Sequence, residues 1–315
     1  MIKNLPFVFA IVSVFAHAQP IVIAHRGASG YLPEHTLEAK AMAHAQGADF
    51  IEQDLVLTKD DVPVVMHDIY LDTISDVATK FPDRKRANGR YYALDFTLAE
   101  IKQLNACERF SEKTGNQVYP KRFPKGVSAF QIPTFEEELQ LIQGLNRSTG
   151  RVAGIYPEIK QPKWHRSEGH DISAIVLPIL KRYGYATKND LCFVQCFEFE
   201  EVKRLRTELC WQGQLIYLMG AFKKGEKVTT EKPSFEQIAQ VADGIGPAIS
   251  QEIAAQSKQA HAAGLKVHPY TLRIDDLPKW ANSTEEVLHL LFDEGKVDGL
   301  FSDFPDVAVK WLLKK

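Results

Sequence analysis

The chain has 315 residues, of which 45% are hydrophobic and 25% are charged, and its formal net charge is -2. This is the profile of a globular protein with enough apolar residues for a large core, and the length suits either two domains or one α/β barrel. No basic stripe or acidic tail is present, so nucleic acid is not an expected partner.

The first 18 residues have the pattern of a secretory signal peptide. Lys3 precedes an apolar run from Leu5 to Phe15, and Ala16-His17-Ala18 then matches the small-x-small cleavage pattern. The apolar run is shorter than the roughly 20 residues that span a membrane, so we expect no stable membrane insertion. A buried N-terminal strand is the alternative. We predict cleavage after Ala18, with a mature domain at 19–315.

Nine segments downstream have the composition of β-strands, and helical patterns alternate with them, which favours a parallel α/β architecture. Between the second and third segments only Asp60 and Asp61 intervene, and two residues join antiparallel strands alone. The third segment is therefore predicted to return as a hairpin above an eight-stranded barrel. The nine segments are 21–25, 50–57, 62–67, 154–159, 191–197, 213–218, 242–246, 266–271 and 298–302.

Helical patterns fill the intervals between these strands, and Thr134 has the sequence context of an N-cap. Residues 69–130 interrupt the alternation, with a helix indicated only at 97–104, and we interpret them as an insertion that forms a small cap beside the active site. The predicted helices are 35–46, 134–145, 171–183, 198–209, 234–241, 251–263, 284–294 and 306–313.

The four cysteines are interpreted as buried free thiols. Cys192 and Cys196 lie on one predicted strand, about 13 Å apart at roughly 3.3 Å per residue. A disulfide requires Cα atoms within about 7 Å, so these two cannot pair. Pairing of either one with Cys210 is left open, and Cys107 is the fourth cysteine.

Polar residues gather at the predicted C-terminal ends of the strands, where α/β barrels place their chemistry. Glu52 and Asp54 stand two apart on one strand, so their side chains point the same way, and Glu158 is on the next barrel strand. Buried carboxylates require a cation or protons to neutralise them. Three together predict an all-oxygen site for one divalent metal ion, Ca²⁺ or Mg²⁺. A single E-x-D motif is more often a salt-bridged or solvated strand edge.

Two histidines are predicted to meet at this site as a general acid and base. His25 ends the first strand, and counting back from a two-residue turn places His67 opposite Asp54 on the hairpin. Arg26 and Lys160, together with the metal, would hold an anion, and phosphate suits that arrangement. Gln195, Tyr270 and Arg273 come from other strand ends.

Several motifs together resemble the glycerophosphodiester phosphodiesterase family, across residues 21–315. They are H-R-G at 25–27, "PEHT" at 33–36, E-x-D at 52–54, "HD" at 67–68, "PEIK" at 157–160 and "GLFSDFP" at 299–305. "FPDR", "TFEEEL", "QCF", "GIGP" and "VHPYT" are similar to the periplasmic bacterial branch of that family.

The resemblance implies a TIM barrel that hydrolyses glycerophosphodiesters to glycerol 3-phosphate and an alcohol, located in the periplasm and forming a homodimer. It implies one divalent ion, with Ca²⁺ favoured. By position, His25 and His67 resemble the catalytic residues. Glu52, Asp54 and Glu158 resemble the metal ligands. Arg26, Lys160, Gln195 and Tyr270 resemble the substrate-binding residues.

Two departures from the family pattern stand out. His35 replaces the asparagine usual in the wider family, and the segment "MGAFKKGEKVTTEKPSF" (219–235) is short for the periplasmic branch. Two alternatives also remain. A barrel phospholipase or sphingomyelinase acting on membrane lipid would favour an exposed apolar rim, and a non-catalytic surface-binding protein should have lost one of the site residues.

Overall fold

The computed structural model of the protein describes residues 19–220 and 233–315. The predicted signal peptide and most of the 219–235 segment therefore lie outside the described residues. In the described parts of the chain, no helix combines the length and the apolar character that a membrane span requires.

Eight parallel strands of the described chain form a nearly closed barrel, as predicted. The strands are β1 (Ile21–Ala24), β2 (Phe50–Leu57), β3 (Pro63–Val65), β4 (Gly154–Ile159), β5 (Phe193–Cys196), β6 (Gln214–Met219), β7 (Gly244–Pro247), β8 (Lys266–Val267) and β9 (Gly299–Ser302). Neighbouring strands of the barrel follow the order β8-β7-β6-β5-β4-β2-β1-β9. Backbone hydrogen bonds connect the two ends of this order, from Asp298 N to Val267 O at 2.9 Å and from Leu272 N to Phe301 O at 2.8 Å.

β3 pairs antiparallel with β2, which confirms the hairpin but corrects its register. Leu57 faces Pro63, and Thr58 N donates to Val62 O, so the loop has three residues, 59–61. Asp61 has a φ of 60°, the left-handed conformation that closes such three-residue loops. Asp54 therefore pairs with Met66 rather than His67. The prediction that Asp54 and His67 face each other is wrong by one residue.

The predicted helices are all present, with ends that differ by a few residues, and two short helices, Val77–Lys80 and Pro162–Ser167, are present without having been predicted. The helix predicted over 284–294 continues beyond Leu288 as a π-helix, His289–Glu294, and a short 3₁₀ helix spans Ala93–Asp95. The α-helices are α1 (Leu37–Ala45), α2 (Val77–Lys80), α3 (Leu98–Ile101), α4 (Phe135–Thr149), α5 (Pro162–Ser167), α6 (Ile172–Arg182), α7 (Phe199–Thr207), α8 (Phe235–Ala239), α9 (Ile253–Ala262), α10 (Thr284–Leu288) and α11 (Pro305–Leu312).

α4 shows how local sequence sets a helix boundary. The Thr134 hydroxyl accepts from Glu137 N at 3.1 Å, and the Glu137 carboxylate accepts from Thr134 N at 2.8 Å. This capping box satisfies two amides that the first turn would leave unpaired. The helix ends at Gly150, whose φ of 73° a residue with a Cβ adopts only with strain.

Three buried apolar clusters form the core below and around the upper end of the barrel, where the active site lies. One fills the layer between the strands and the outer helices, and a second fills the lower barrel with aromatic and aliphatic side chains such as Phe50, Tyr156 and Phe301. The third joins the hairpin to residues 69–130, with Met66 and Phe96 fully buried in it. The insertion thus has its own core and packs on the hairpin at the upper end of the barrel.

The cysteines are free, and the interpretation as buried thiols holds for two of them. Cys192 and Cys196 are buried, whereas Cys107 is half-buried and Cys210 is exposed. Burial raises the pKa of Cys107 to about 11, so its thiolate is scarce at neutral pH.

Candidate active site

Three carboxylates from adjacent strands meet at the upper end of the barrel. Glu52 and Asp54 project from the same face of β2, and Asp54 is in register with Glu158 on β4. All three side chains are buried. Gln195, next to Glu158 in the sheet, follows on β5.

The charges around these carboxylates are unevenly balanced. Lys160 Nζ lies 3.4 Å from Asp54 Oδ1 and 2.7 Å from Glu158 Oε1. Burial alone would raise the pKa of Asp54, but Lys160, His67 and His35 outweigh it and hold that pKa well below its usual range. The pKa values of Glu52 and Glu158 are both raised, by burial first and also by the Asp54 charge.

The donor set fits a hard cation. Two neighbouring carboxyls with raised pKa values are those that a divalent ion would hold ionised, and oxygen ligands suit Ca²⁺ and Mg²⁺. Donor atoms of His35, Glu52 and Asp54 lie within 4.8 Å of one another, which adds His35 to the ligand candidates.

The hydrogen bonds of His35 favour a supporting position over ligation. Lys40 Nζ lies 3.2 Å from His35 Nδ1, and an ammonium group only donates, so Nδ1 must accept. His35 Nε2 then carries the proton and donates to Asp54 Oδ2 at 2.8 Å. His35 therefore orients Asp54, and burial and the Lys40 charge lower the pKa of His35 to about 3, which keeps it neutral.

His25 is held by a carboxylate from the last strand. Its Nδ1 lies 2.6 Å from Asp303 Oδ1, just beyond β9. Because an ionised carboxylate accepts, Nδ1 carries the proton and Nε2 is the nitrogen left to exchange a proton with a ligand. Burial and the neighbouring Arg26 charge outweigh Asp303 and lower the pKa of His25 to about 4.

His67 has the same arrangement on the hairpin side. Its Nδ1 lies 2.8 Å from Asp68 Oδ1, and Arg109 Nη1 donates to Asp68 Oδ2 at 2.6 Å. Burial, with the charges of Arg26 and Lys160, lowers the pKa of His67 to about 4. Both imidazoles are therefore neutral at rest, each with Nε2 as the reactive nitrogen.

Arg26 is positioned by a tight turn after β1. Its φ is 58°, and its backbone N–H donates to Glu52 Oε2 at 2.6 Å. Gly27 follows with a φ of 83°, and a Cβ there would lie 2.8 Å from the Ala39 carbonyl carbon. Arg26 Nη1 donates to Glu34 at 2.9 Å, while its buried Nε makes no hydrogen bond within the described chain.

Two adjoining cavities share His25, Arg26, His67 and Arg273 as walls. The cavity on the barrel side measures about 240 Å³, and the one beneath the insertion about 200 Å³. The barrel-side cavity is also lined by Glu52, Glu158, Gln195, Phe197, Leu218, Tyr270, Thr271 and Phe301. The insertion-side cavity is also lined by Ser29, Glu34, Asp68, Arg109, Tyr119, Arg122 and Asp303.

The structure thus brings most of the predicted site residues around one space. Asp54 and Lys160 do not line the barrel-side cavity, and Lys160 pairs with both Asp54 and Glu158. The Gln195 Oε1 atom is buried without a hydrogen-bond partner among residues 19–220 and 233–315. Tyr270 OH donates to Met219 O at 2.9 Å. A larger cavity of about 540 Å³, within the insertion, is lined by none of the predicted residues.

Five charged residues of the site received no role from the sequence. Glu34, Asp68 and Asp303 stand inside the motifs "PEHT", "HD" and "GLFSDFP", so the motifs themselves were the available signal. Arg109 and Arg122 lie in the insertion, where no periodicity indicates a fold and no strand end marks a site.

An eight-stranded α/β barrel with two carboxylate-held histidines and buried carboxylates at its mouth defines an enzyme. Residues 25–307 match the model of the Glycerophosphoryl diester phosphodiesterase family. The chain belongs to this family, and it is a phosphodiesterase.

Named relatives agree with that assignment, and a solved structure agrees with the fold. A glycerophosphodiester phosphodiesterase of Haemophilus influenzae is 43% identical, over 93% of this chain and 89% of the relative. One of Treponema pallidum is 37% identical, over 98% and 96%. A Silicibacter pomeroyi structure of a glycerophosphoryl diester phosphodiesterase shares the fold, with a TM-score of 0.71, 24% identity and 95% of each chain covered.

Proposed function

We propose that this protein hydrolyses glycerophosphodiesters, such as glycerophosphocholine and glycerophosphoethanolamine, to sn-glycerol 3-phosphate and an alcohol, with one divalent ion, preferably Ca²⁺. One observation carries the proposal: two histidines, each with Nδ1 fixed by a carboxylate, line one cavity with Arg26 and buried carboxylates. An Oleispira antarctica phosphodiesterase structure, in complex with the product sn-glycerol-3-phosphate, has a TM-score of 0.65 at 22% identity and covers 94% of this chain and 98% of its own.

Glu52, Asp54 and Glu158 would hold the ion. Ca²⁺ and Mg²⁺ prefer carboxylate oxygens as ligands. The pKa values of the two glutamates are raised because too little positive charge lies near them, and a divalent ion would supply it. When bound, the ion would supply charge that stabilises a phosphoryl oxygen and lowers the pKa of a substrate hydroxyl.

Arg26 would bind the phosphate, and Lys160 would add positive charge from its pairs with Asp54 and Glu158. Gln195 and Tyr270 would contact the glycerol. The buried Arg26 Nε has a donor still to satisfy, and a phosphate oxygen suits it. The buried Gln195 Oε1 is an acceptor that suits a glycerol hydroxyl.

The reaction path follows from the free hydroxyl beside the esterified carbon. Intramolecular attack on phosphorus gains from proximity, with effective molarities of about 10⁵ M or more. The bound phosphate anion would offset the Arg26 and Lys160 charges that lower the pKa of His67, so that His67 takes a proton from solvent on Nε2. His25 Nε2 then takes the hydroxyl proton, and the His67 imidazolium gives its Nε2 proton to the alcohol oxygen as the bond from that oxygen to phosphorus breaks. Water then opens the cyclic phosphate with the two histidine roles reversed.

A substrate analogue tests this path. A phosphodiester of ethylene glycol monomethyl ether keeps the charge but lacks the attacking hydroxyl. It should inhibit competitively and remain intact, whereas glycerophosphocholine is cleaved. Hydrolysis of the analogue at a comparable rate would favour direct attack by water.

An assay on intact lipid vesicles distinguishes the proposed activity from the two alternative functions. Release of glycerol 3-phosphate from glycerophosphocholine, with no headgroup release from phosphatidylcholine or sphingomyelin vesicles, is the expected pattern. Cleavage of vesicle lipid would favour the phospholipase or sphingomyelinase alternative. Absence of turnover on both would favour a surface-binding protein.

Location and assembly stay predictions from the sequence. A periplasmic protein cleaved after Ala18 would begin at Gln19, which mass spectrometry of the periplasmic fraction measures. Light scattering on the eluted protein measures whether it is the expected homodimer.

A further inference from the structure

Each catalytic histidine is followed by a carboxylate and then by an arginine from the insertion. His25 contacts Asp303, which accepts from Arg122 Nη2 at 2.7 Å. His67 contacts Asp68, which accepts from Arg109 Nη1 at 2.6 Å. The two arginines lie thirteen positions apart in the same insertion. The histidines whose carboxylates they contact follow two different strands, β1 and β3.

Arg122 is built into its place. It is 8% exposed, and its Nε and Nη2 bind the two oxygens of Asp275 at 2.8 and 3.0 Å. Its guanidinium carbon lies 3.7 Å from the centre of the Tyr119 ring. The group therefore joins the insertion to the loop after β8 and fixes Asp303 from one side, while Arg273 Nε holds the same carboxylate at 3.0 Å.

Arg109 is fixed with equal completeness. Its Nε and Nη2 bind Glu34 at 3.0 and 2.6 Å, and Nη1 is within 3.3 Å of the Thr73 hydroxyl. Because Glu34 also accepts from Arg26, Arg109 contacts two partners of the reaction centre, the carboxylate behind His67 and the one behind Arg26.

We propose that Arg109 and Arg122 are positioning residues, by which the insertion fixes the orientation of both catalytic imidazoles through Asp68 and Asp303. The inference rests on the proposed acid–base roles of His25 and His67. A planar guanidinium bridges two carboxylates at defined angles, which a lysine ammonium, as a point charge, does not reproduce. The insertion is then a component of the catalytic centre as well as its cover.

The test measures kcat and KM separately on glycerophosphocholine. Arg122→Gln and Arg109→Gln should each lower kcat by about 10- to 100-fold, because small misplacements of a reacting group have effects of this order. KM should change by less than about threefold. Lysine at either position should restore part of the lost kcat. A raised KM with unchanged kcat would mean that the arginine binds substrate directly and would overturn the inference.

Crossed double variants identify the route of each effect. If Arg122 acts through Asp303, Arg122→Gln should change kcat less than about twofold in an Asp303→Asn background, yet keep its full effect in an Asp68→Asn background. Arg109→Gln should show the reverse pattern. Equal losses in both backgrounds would indicate a general disturbance of the insertion and contradict specific positioning.

A matched control lies in the same insertion. Arg90 Nε binds the buried Asp72 at 3.1 Å and lines neither active-site cavity, so Arg90→Gln should retain kcat even if it lowers the melting temperature. Where Arg122→Gln does not fold, Asp275→Asn loosens the same guanidinium from the far side and should lower kcat less, in the same direction. Unchanged kcat in Asp275→Asn and in the lysine variants would contradict the proposal.

Alanine variants of His25 and His67 distinguish a failure of the positioning proposal from a failure of the proposed acid–base mechanism. Retained turnover in His25→Ala and His67→Ala would refute the acid–base proposal. Loss of turnover in those two variants, with normal kcat in both glutamine variants, would refute only the positioning roles of the arginines.

Discussion

At the scale of single residues, the direction of each imidazole is decided by a carboxylate that the reaction itself does not consume. Asp303 accepts the Nδ1 proton of His25 and is surrounded by Arg122 and Arg273. Burial would raise the pKa of Asp303, but His25 and these arginines outweigh it and hold that pKa well below its usual range. Asp303 therefore stays ionised, and in the proposed mechanism it would stabilise the His25 imidazolium that forms during turnover.

Replacing Asp303 with asparagine should lower kcat by about 10²- to 10⁴-fold, the order found when a carboxylate behind a catalytic histidine is neutralised. Because the Asp303 charge raises the pKa of His25, its loss should also move the acid limb of the pH profile to lower pH. Steady-state rates between pH 3 and 7, in buffers where both proteins stay folded, provide the measurement. Asp306→Asn, which alters a contact with Tyr31 outside the cavities, is the control. An unchanged acid limb would separate Asp303 from the titration of His25.

His165 makes the acid stability of the protein predictable. It is fully buried, its Nε2 accepts from Leu57 N at 3.3 Å, and burial lowers its pKa to about 4. The unfolded chain, with a histidine pKa of about 6.5, binds the proton first as the pH falls. His165 therefore contributes stability above pH 6.5, and this is lost between pH 6.5 and 4, by at most about 1.4 kcal/mol per pH unit.

His165→Gln should be less stable than the parent at pH 7, yet the free energy of unfolding should fall less steeply with acid. Urea titrations at half-unit steps from pH 4.5 to 7 measure both quantities. Parallel curves for the two proteins would show that His165 does not titrate on unfolding.

At the scale of elements, the hairpin shows both the reach and the limit of sequence reasoning. Alternation and the short connection predicted that β2 and β3 pair antiparallel, because few geometries join adjacent strands so closely. The register depended on whether Lys59 belongs to the loop, and an aspartate that tolerates a left-handed φ at position 61 decided this in favour of three residues. A strand pattern contains no such information about loop conformation.

The three-residue loop and the register determine how His67 should respond to insertions. His67 lies beyond the last paired residue, so one glycine inserted after Asp60 can enlarge the loop and leave Met66 paired with Asp54. Activity should then stay within about threefold of the parent. One glycine inserted between Met66 and His67 adds its length after the paired segment, so it displaces His67 by about one residue, roughly 3.3 Å.

The second insertion should lower kcat by about 100-fold or more, while far-ultraviolet circular dichroism stays unchanged. Equal activity of the two insertion proteins would show that the position of His67 is not fixed by the hairpin.

At the scale of the whole molecule, the sequence predicts the barrel, its carboxylates and a cap at 69–130, but it does not predict which side chains of the cap reach the site. Period-two alternation sets which side chains point inward, so Glu52 and Asp54 were found from spacing alone. Arg109 and Arg122 reach the site because residues 69–130 form a separate core that docks on the hairpin. That docking is a tertiary event with no periodic signature, so sequence patterns do not indicate which side chains it brings to the mouth.

A metal that binds only the folded protein should stabilise the entire barrel. At a Ca²⁺ concentration 100 times the dissociation constant, the gain is about 2.7 kcal/mol. Thermal unfolding of chelated protein, with and without Ca²⁺ or Mg²⁺, measures it, and turnover should return with the shift. Glu52→Gln should lose most of the shift, whereas Glu112→Gln, at an exposed position, should keep it. Full activity and an unchanged melting temperature after chelation would contradict the metal site.

The pairing of His25 with Asp303 has a consequence for how the enzyme becomes active. The two residues are 278 positions apart in the chain, and they follow strands β1 and β9, which are neighbours in the closed ring. Contacts of such separation form late, because a long loop must close before they contribute. The recovery of turnover during refolding therefore reports when β1 and β9 have come together, and it should lag behind the return of helical circular dichroism.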